Sequence, residues 1–231
     1  MIQVQPISFL TAYVTALRLA FIGCSLIAWG CESHNEQPPE PTSTASHNEN
    51  EVSAAGNDGG AQITGTAPTS SDGSLTVVLL EPQSSVTYDI PVEPVQMDQL
   101  GMEFLPPVLL AVVGQPVNFH NSEDVLHNVR VYNIDTQETA FNISTPIGGT
   151  YEHRFDTAGT YRVACDIHPA MGASVVVSST PHATVADRAG NFTLNEVEPG
   201  NYTAIVHAGQ HRTRQAVTIT AGTTELSLGS D

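Results

Sequence analysis

Cys165, His168 and Met171 stand three residues apart in the stretch "CDIHPAM". A thiolate, an imidazole and a thioether in one short loop are soft to borderline donors. Three chemistries are open to them: a soft metal ion, a nucleophilic thiol beside a histidine, or the packing of a small core cysteine. A zinc site would lack its fourth ligand, because zinc rarely takes methionine. A thiol nucleophile would need a groove and an oxyanion-binding feature, and nothing in the sequence points to either. Copper suits the set better than calcium or magnesium, but it needs a second imidazole.

The stretch "NSEDVLHNV" supplies a candidate, His127, 38 residues before Cys165. Two loops at one end of a β-sandwich can bring such positions together. His127, His168 and Cys165 with Met171 as a weak axial donor would be the ligand set of a blue-copper electron-transfer centre. His120 in "VNFHN" competes with His127 but reads as part of a strand. His153, His182, His207 and His211 read as surface residues, and Met97 and Met102 as packing residues. There is no Cys-x-x-Cys-His, so no attached c-type haem is expected.

The elements that must position these residues are strands. "SLTVVLLE" (74–81), "VLLAVVGQPVNFHN" (108–121), "NVRVYNI" (128–134), "YEHRFD", "GTYRVACD" and "GASVVVSS" alternate or run apolar for five to eight residues. Many short strands with frequent turns and no amphipathic helix predict an all-β chain of antiparallel sandwich or barrel type. One strand should end near Cys165 and the next begin at Gly172, with the donor loop between them. The tail, 182–229, continues the pattern but is marginal as an independent core, at about forty-five residues. It is expected to borrow 62–81 and form a small discontinuous β-sandwich with the 95–179 domain inserted.

Residues 1–31 read as a signal peptide of lipoprotein type: Arg18, a short apolar run, then Cys31 as the residue that would carry lipid. Residues 32–61 are rich in Glu, Pro, Ser, Thr and Asn and read as a disordered acidic tether. Export would leave Cys165 as the one cysteine of the mature domain, without a disulfide partner. The chain has 24 acidic residues against 7 arginines and no lysine, a net charge of −17. That argues against nucleic acid, which binds cationic surfaces, and suits a basic redox partner.

The motif His127-Asn128-Val129 followed by Cys165-x-x-His168-x-x-Met171 resembles the cupredoxins, with a compact loop similar to that of amicyanin. Bacterial plastocyanin-like proteins often labelled methylamine-utilisation proteins are similar through 97–129, 159–171 and 186–208. The tail also resembles carboxypeptidase-regulatory or transthyretin-like modules. The resemblance implies a Greek-key β-sandwich and one type 1 copper ion held by His127, Cys165, His168 and Met171. It implies that Asn128 ties the two ligand loops together beside the sulfur. Ala170 departs from it, since many close relatives carry a large aromatic there. The expected function is exported one-electron transfer by a carrier rather than an enzyme, at the periplasmic or cell-surface side of a membrane. A copper carrier or scavenger, and a metal-free interaction module, are the alternatives.

Overall fold

The short apolar runs fold into sixteen strands, and among the described residues no helix forms. The computed structural model describes residues 59–229. The proposed lipid-bearing Cys31 and the tether up to residue 58 lie outside them. The strands are β1 (Ala61–Thr66), β2 (Thr76–Pro82), β3 (Val95–Leu100), β4 (Glu103–Leu105), β5 (Val108–Val112), β6 (Pro116–Asn121), β7 (His127–Asn133) and β8 (Thr139–Thr145). They continue as β9 (Thr150–Arg154), β10 (Gly159–Ala164), β11 (Gly172–Ser178), β12 (Ala183–Val185), β13 (Asn191–Val197), β14 (Gly200–Ala208), β15 (His211–Ile219) and β16 (Thr223–Ser227).

Two sheets build the central region. One, in the order β5-β11-β10-β7-β8, carries the donor residues; the other, β4-β3-β6-β9, faces it. Between them lie Met97, Phe104, Phe119, Val129, Val131, Val163, Val175 and Val177, joined by Cys165 and Met171. Burial of this set is the main stabilising term, since each fully buried aliphatic or aromatic side chain contributes roughly 1.5–3 kcal/mol. The seam between the edge strands β8 and β9 is closed by aromatic contacts: Phe141 lies 4.9 Å from Tyr151 and 4.6 Å from His153, centroid to centroid.

Two further sheets, β13-β1-β16 and β12-β2-β14-β15, enclose a second core that includes Ile63, Val78, Leu80, Leu194, Tyr202, Val206 and Ile219. A third apolar layer joins the halves. Val77 and Leu79 on β2 and Ile205 on β14 cluster with Val176 on β11, and Val108 and Leu110 on β5 pack against them. This explains why "GASVVVSS" and "VLLAVV" run apolar without alternation: both faces of those strands are covered.

The pairing departs from the antiparallel expectation. β5–β11, β3–β6 and β1–β16 are parallel. "VLLAVVGQPVNFHN" is therefore not a hairpin; β5 lies in one sheet and β6 in the other. The chain crosses between them at Gly114, whose φ of 82° favours glycine.

Candidate metal centre

His127 opens β7 rather than preceding it, and it is completely buried. Cys165 follows the last residue of β10 and is 2% exposed. His168 and Met171 sit in the loop to β11, where the Met171 N–H donates to the His168 carbonyl at 2.9 Å. The Cys165 N–H donates to the Met171 carbonyl at 3.4 Å, which closes the loop on itself. Antiparallel pairing of β10 with β7 and β11 brings the three segments to one end of the sandwich.

His127, Cys165 and His168 present donor atoms that all lie within 4.8 Å of one another. Nδ1 of His127 and Nδ1 of His168 are 3.0 Å apart, and Sγ of Cys165 is 3.9 Å from each. A triangle with sides of 3.0, 3.9 and 3.9 Å has a point about 2.1 Å from every corner, close to ordinary metal–imidazole and metal–thiolate bond lengths. The hydrogen bonding agrees. The Glu123 carboxyl is held below the usual range, first by the Met102 N–H and then by its bond to His127. As an ionised carboxylate it only accepts, so Nε2 of His127, 2.5 Å away, is the donor in this bond, and Nδ1 is the ring nitrogen turned toward Cys165 and His168. Two imidazole nitrogens converging with a sulfur form a donor set that suits a soft cation.

Asn128 locks the two segments together. Its Oδ1 accepts from the N–H of Asp166 at 2.6 Å and of Ile167 at 3.3 Å, and it lies 3.4 Å from Sγ of Cys165. Its Nδ2 donates to Oδ1 of Asn142 at 2.9 Å and to Oδ2 of Asp166 at 3.2 Å. Asp166 is also paired with Arg130 at 2.8 Å, and its carboxyl is held low by Asn142 first and then Arg130. The His168 N–H points at Sγ of Cys165 from 3.4 Å.

Met171 is 2% exposed and shares the core with Cys165. Beside it lies a shallow hollow of about 190 Å³, lined by Glu103, Phe104, Leu105, Pro107, Ala170 and Gly172. A Cβ on Gly172 would meet the end of the exposed Arg162 side chain, which would have to move aside.

Glu123 was not singled out by sequence; an acidic loop residue reads as solvated charge, and only its place four residues before His127 hinted otherwise. Other expectations are corrected. Met102 is 46% exposed, with φ 60° in the β3–β4 turn, so it contributes its backbone N–H rather than packing. Met97, by contrast, is fully buried in the core, as expected of a packing residue. His120 lies on β6 and bonds Thr150 at 2.7 Å. Of the four histidines read as surface residues, His211 is exposed but His182 is buried, and His153 and His207 are half-buried. Burial lowers the pKa of all three, that of His207 to about 4.

Residues 92–178 match the family described as copper binding proteins, plastocyanin/azurin family. Over these residues the chain is similar to the cupredoxin class, and its fold here is all-β. Among solved structures the chain is similar to a purple cupredoxin from Nitrosopumilus maritimus (25% identity, 36% of this chain and 99% of that one, TM-score 0.33). It is similar to amicyanin from Paracoccus versutus (24%, 44% and 97%, TM-score 0.34). It also resembles a copper-containing nitrite reductase from Thermus scotoductus (26%, 43% and 26%, TM-score 0.36). None of the curated proteins matches it. The family binds copper, and the His127–Cys165–His168 group fits a type 1 copper site.

Proposed function

We propose that the chain is an exported type 1 copper protein that passes single electrons between redox partners. The observation that carries this reading is the donor triangle of His127, Cys165 and His168, with one point at bonding distance from all three corners. Copper when bound supplies the one-electron couple. The chain holds its donors still. Glu123 fixes the tautomer and tilt of His127, and Asn128 pins the backbone after Cys165. A preset donor geometry lowers the reorganisation that accompanies electron transfer. Met171 would supply a fourth, weak thioether donor, a role supported by its burial beside Cys165. Full burial of His127 and near-full burial of Cys165 favour a retained ion over an exchanged one, and so an electron carrier over a copper shuttle.

The partner is read as a protein with an apolar face and a basic rim. Leu126, Ile147 and Ile167 on loops, and Leu105 at the end of β4, are exposed at the donor end of an acidic molecule. Transfer should slow as salt rises, because screening weakens the attraction; salt-independent kinetics would count against a basic partner. Cys31 is assigned as the lipid anchor on the exported side of a membrane. The strands from β12 onward, with β1 and β2, are read as a carboxypeptidase-regulatory or transthyretin-like module, supported by their own core.

Addition of Cu(II) to the purified mature chain tests the central reading. An intense thiolate-to-copper absorption band, absent in Cys165→Ser, is expected. No band and no stoichiometric copper would sink it. A band that fades quickly under a mild chelator would favour the shuttle.

A further inference from the structure

Four polar side chains are almost wholly buried at the donor end: Gln99, Asn121 and His127 at 0% exposure and Thr145 at 1%. Their bonds form one chain. The Thr145 hydroxyl donates to Oε1 of Gln99 at 2.7 Å. Nδ2 of Asn121 donates to the carbonyls of Thr145 at 2.9 Å and Val125 at 2.8 Å. Oδ1 of Asn121 accepts the Glu123 N–H at 2.9 Å, and Glu123 meets His127. Gln99 and Asn121 are register partners on β3 and β6, and Thr145 and His127 are register partners on β8 and β7. The chain of bonds therefore crosses from one sheet to the other at the level of His127.

Gln99 is the far end of this link, and it is a poor choice for stability alone. Its Nε2 is buried without an acceptor among the described residues. A buried donor left unmade is destabilising, and an unbranched apolar side chain would fill the same space without that loss. Buried polar groups that break a packing rule call for an explanation, and the stretch this one braces leads directly into His127.

We propose that Gln99 is a positioning residue for the metal centre: through Thr145 and Asn121 it sets the 122–126 loop and hence the His127 imidazole. The inference rests on the copper reading above. Two variants test it, Gln99→Met and Thr145→Val, each close in volume to the residue it replaces. In both, amide exchange at Glu123 of the metal-free protein, whose N–H donates to Asn121, should rise about tenfold. Copper should leave about tenfold faster, at the low end of losses seen when partners of ligands are removed. The absorption band and the reduction potential should move as well, and a purely structural role would not move them. Thr145→Ser, which keeps the hydroxyl, should restore the wild-type values. Wild-type exchange together with wild-type copper release in both variants would overturn the proposal. If the wild-type chain took up no copper, the functional reading would fall, and the exchange comparison would still decide this one.

Discussion

Oε2 of Glu123 lies 2.5 Å from Nε2 of His127, while the other oxygen of the same carboxylate accepts the Met102 N–H at 2.9 Å. One acidic side chain thus ties the β3–β4 turn to the first residue of β7. Glu123→Ala should weaken copper binding by about 10–100-fold, the usual loss when a ligand's outer partner is removed. Glu123→Gln keeps a carbonyl acceptor and should lose less. Competition with a chelator of known affinity measures both; an unchanged affinity in the alanine variant would remove Glu123 from the site.

Asn128 holds two backbone N–H groups that have no other partner in the loop. Asn128→Ala should destabilise the metal-free chain by roughly 1–3 kcal/mol, the loss of two hydrogen bonds to part-buried donors. Urea denaturation gives the number directly. A loss well below that range would mean that water replaces the side chain.

Met171 separates packing from ligation. Met171→Leu conserves volume and should cost the metal-free protein less than about 1.5 kcal/mol, whereas Met171→Ala should cost roughly 2–5 kcal/mol. If the thioether is the axial donor, the leucine variant will nonetheless shift the copper band and the reduction potential. A spectrum and potential identical to wild type would rule it out as a donor.

Acid should loosen the molecule near His207. Burial, then the nearby Arg212, depresses its pKa to about 4, opposed by Asp135. The unfolded imidazole takes its proton near pH 6.5. The unfolded state therefore binds more protons between those values, so stability is full above about 6.5, declines as pH falls towards 4, and is flat below for this group. His153 and His182, lowered by burial too, act in the same direction. Denaturation midpoints from pH 7 to 4 for wild type and His207→Gln check this; parallel curves would exclude His207.

The loop donors were legible because their spacing is local. Cys165, His168 and Met171 fall in one connection between two clear apolar strands, so proximity needed no knowledge of the fold. His127 required only that a second imidazole be sought before a strand. Gln99, Asn121 and Thr145 were not legible: polar residues in strands look like a solvated face, and only the pairing of β3 with β6 and β7 with β8 turns them inward. β3, β4 and β8 themselves were missed, since "VQMDQL" and "TAFNIST" have weak apolar periodicity. The parallel pairs join strands far apart in sequence, and no local signal marks such a partner. Likewise, His182 is buried and His207 half-buried by contacts between distant segments.

The sheet that bears Cys165 is a party wall. Val175 and Val177 press into one core and Val176 into the layer beyond, so bending β11 would disturb both at once. Compliance at the donor end is thereby confined to the turns outside the wall, and the second half of the molecule acts as a mechanical backing plate for the metal centre. Strain imposed on either half would be felt at the same place, the six residues between β10 and Met171.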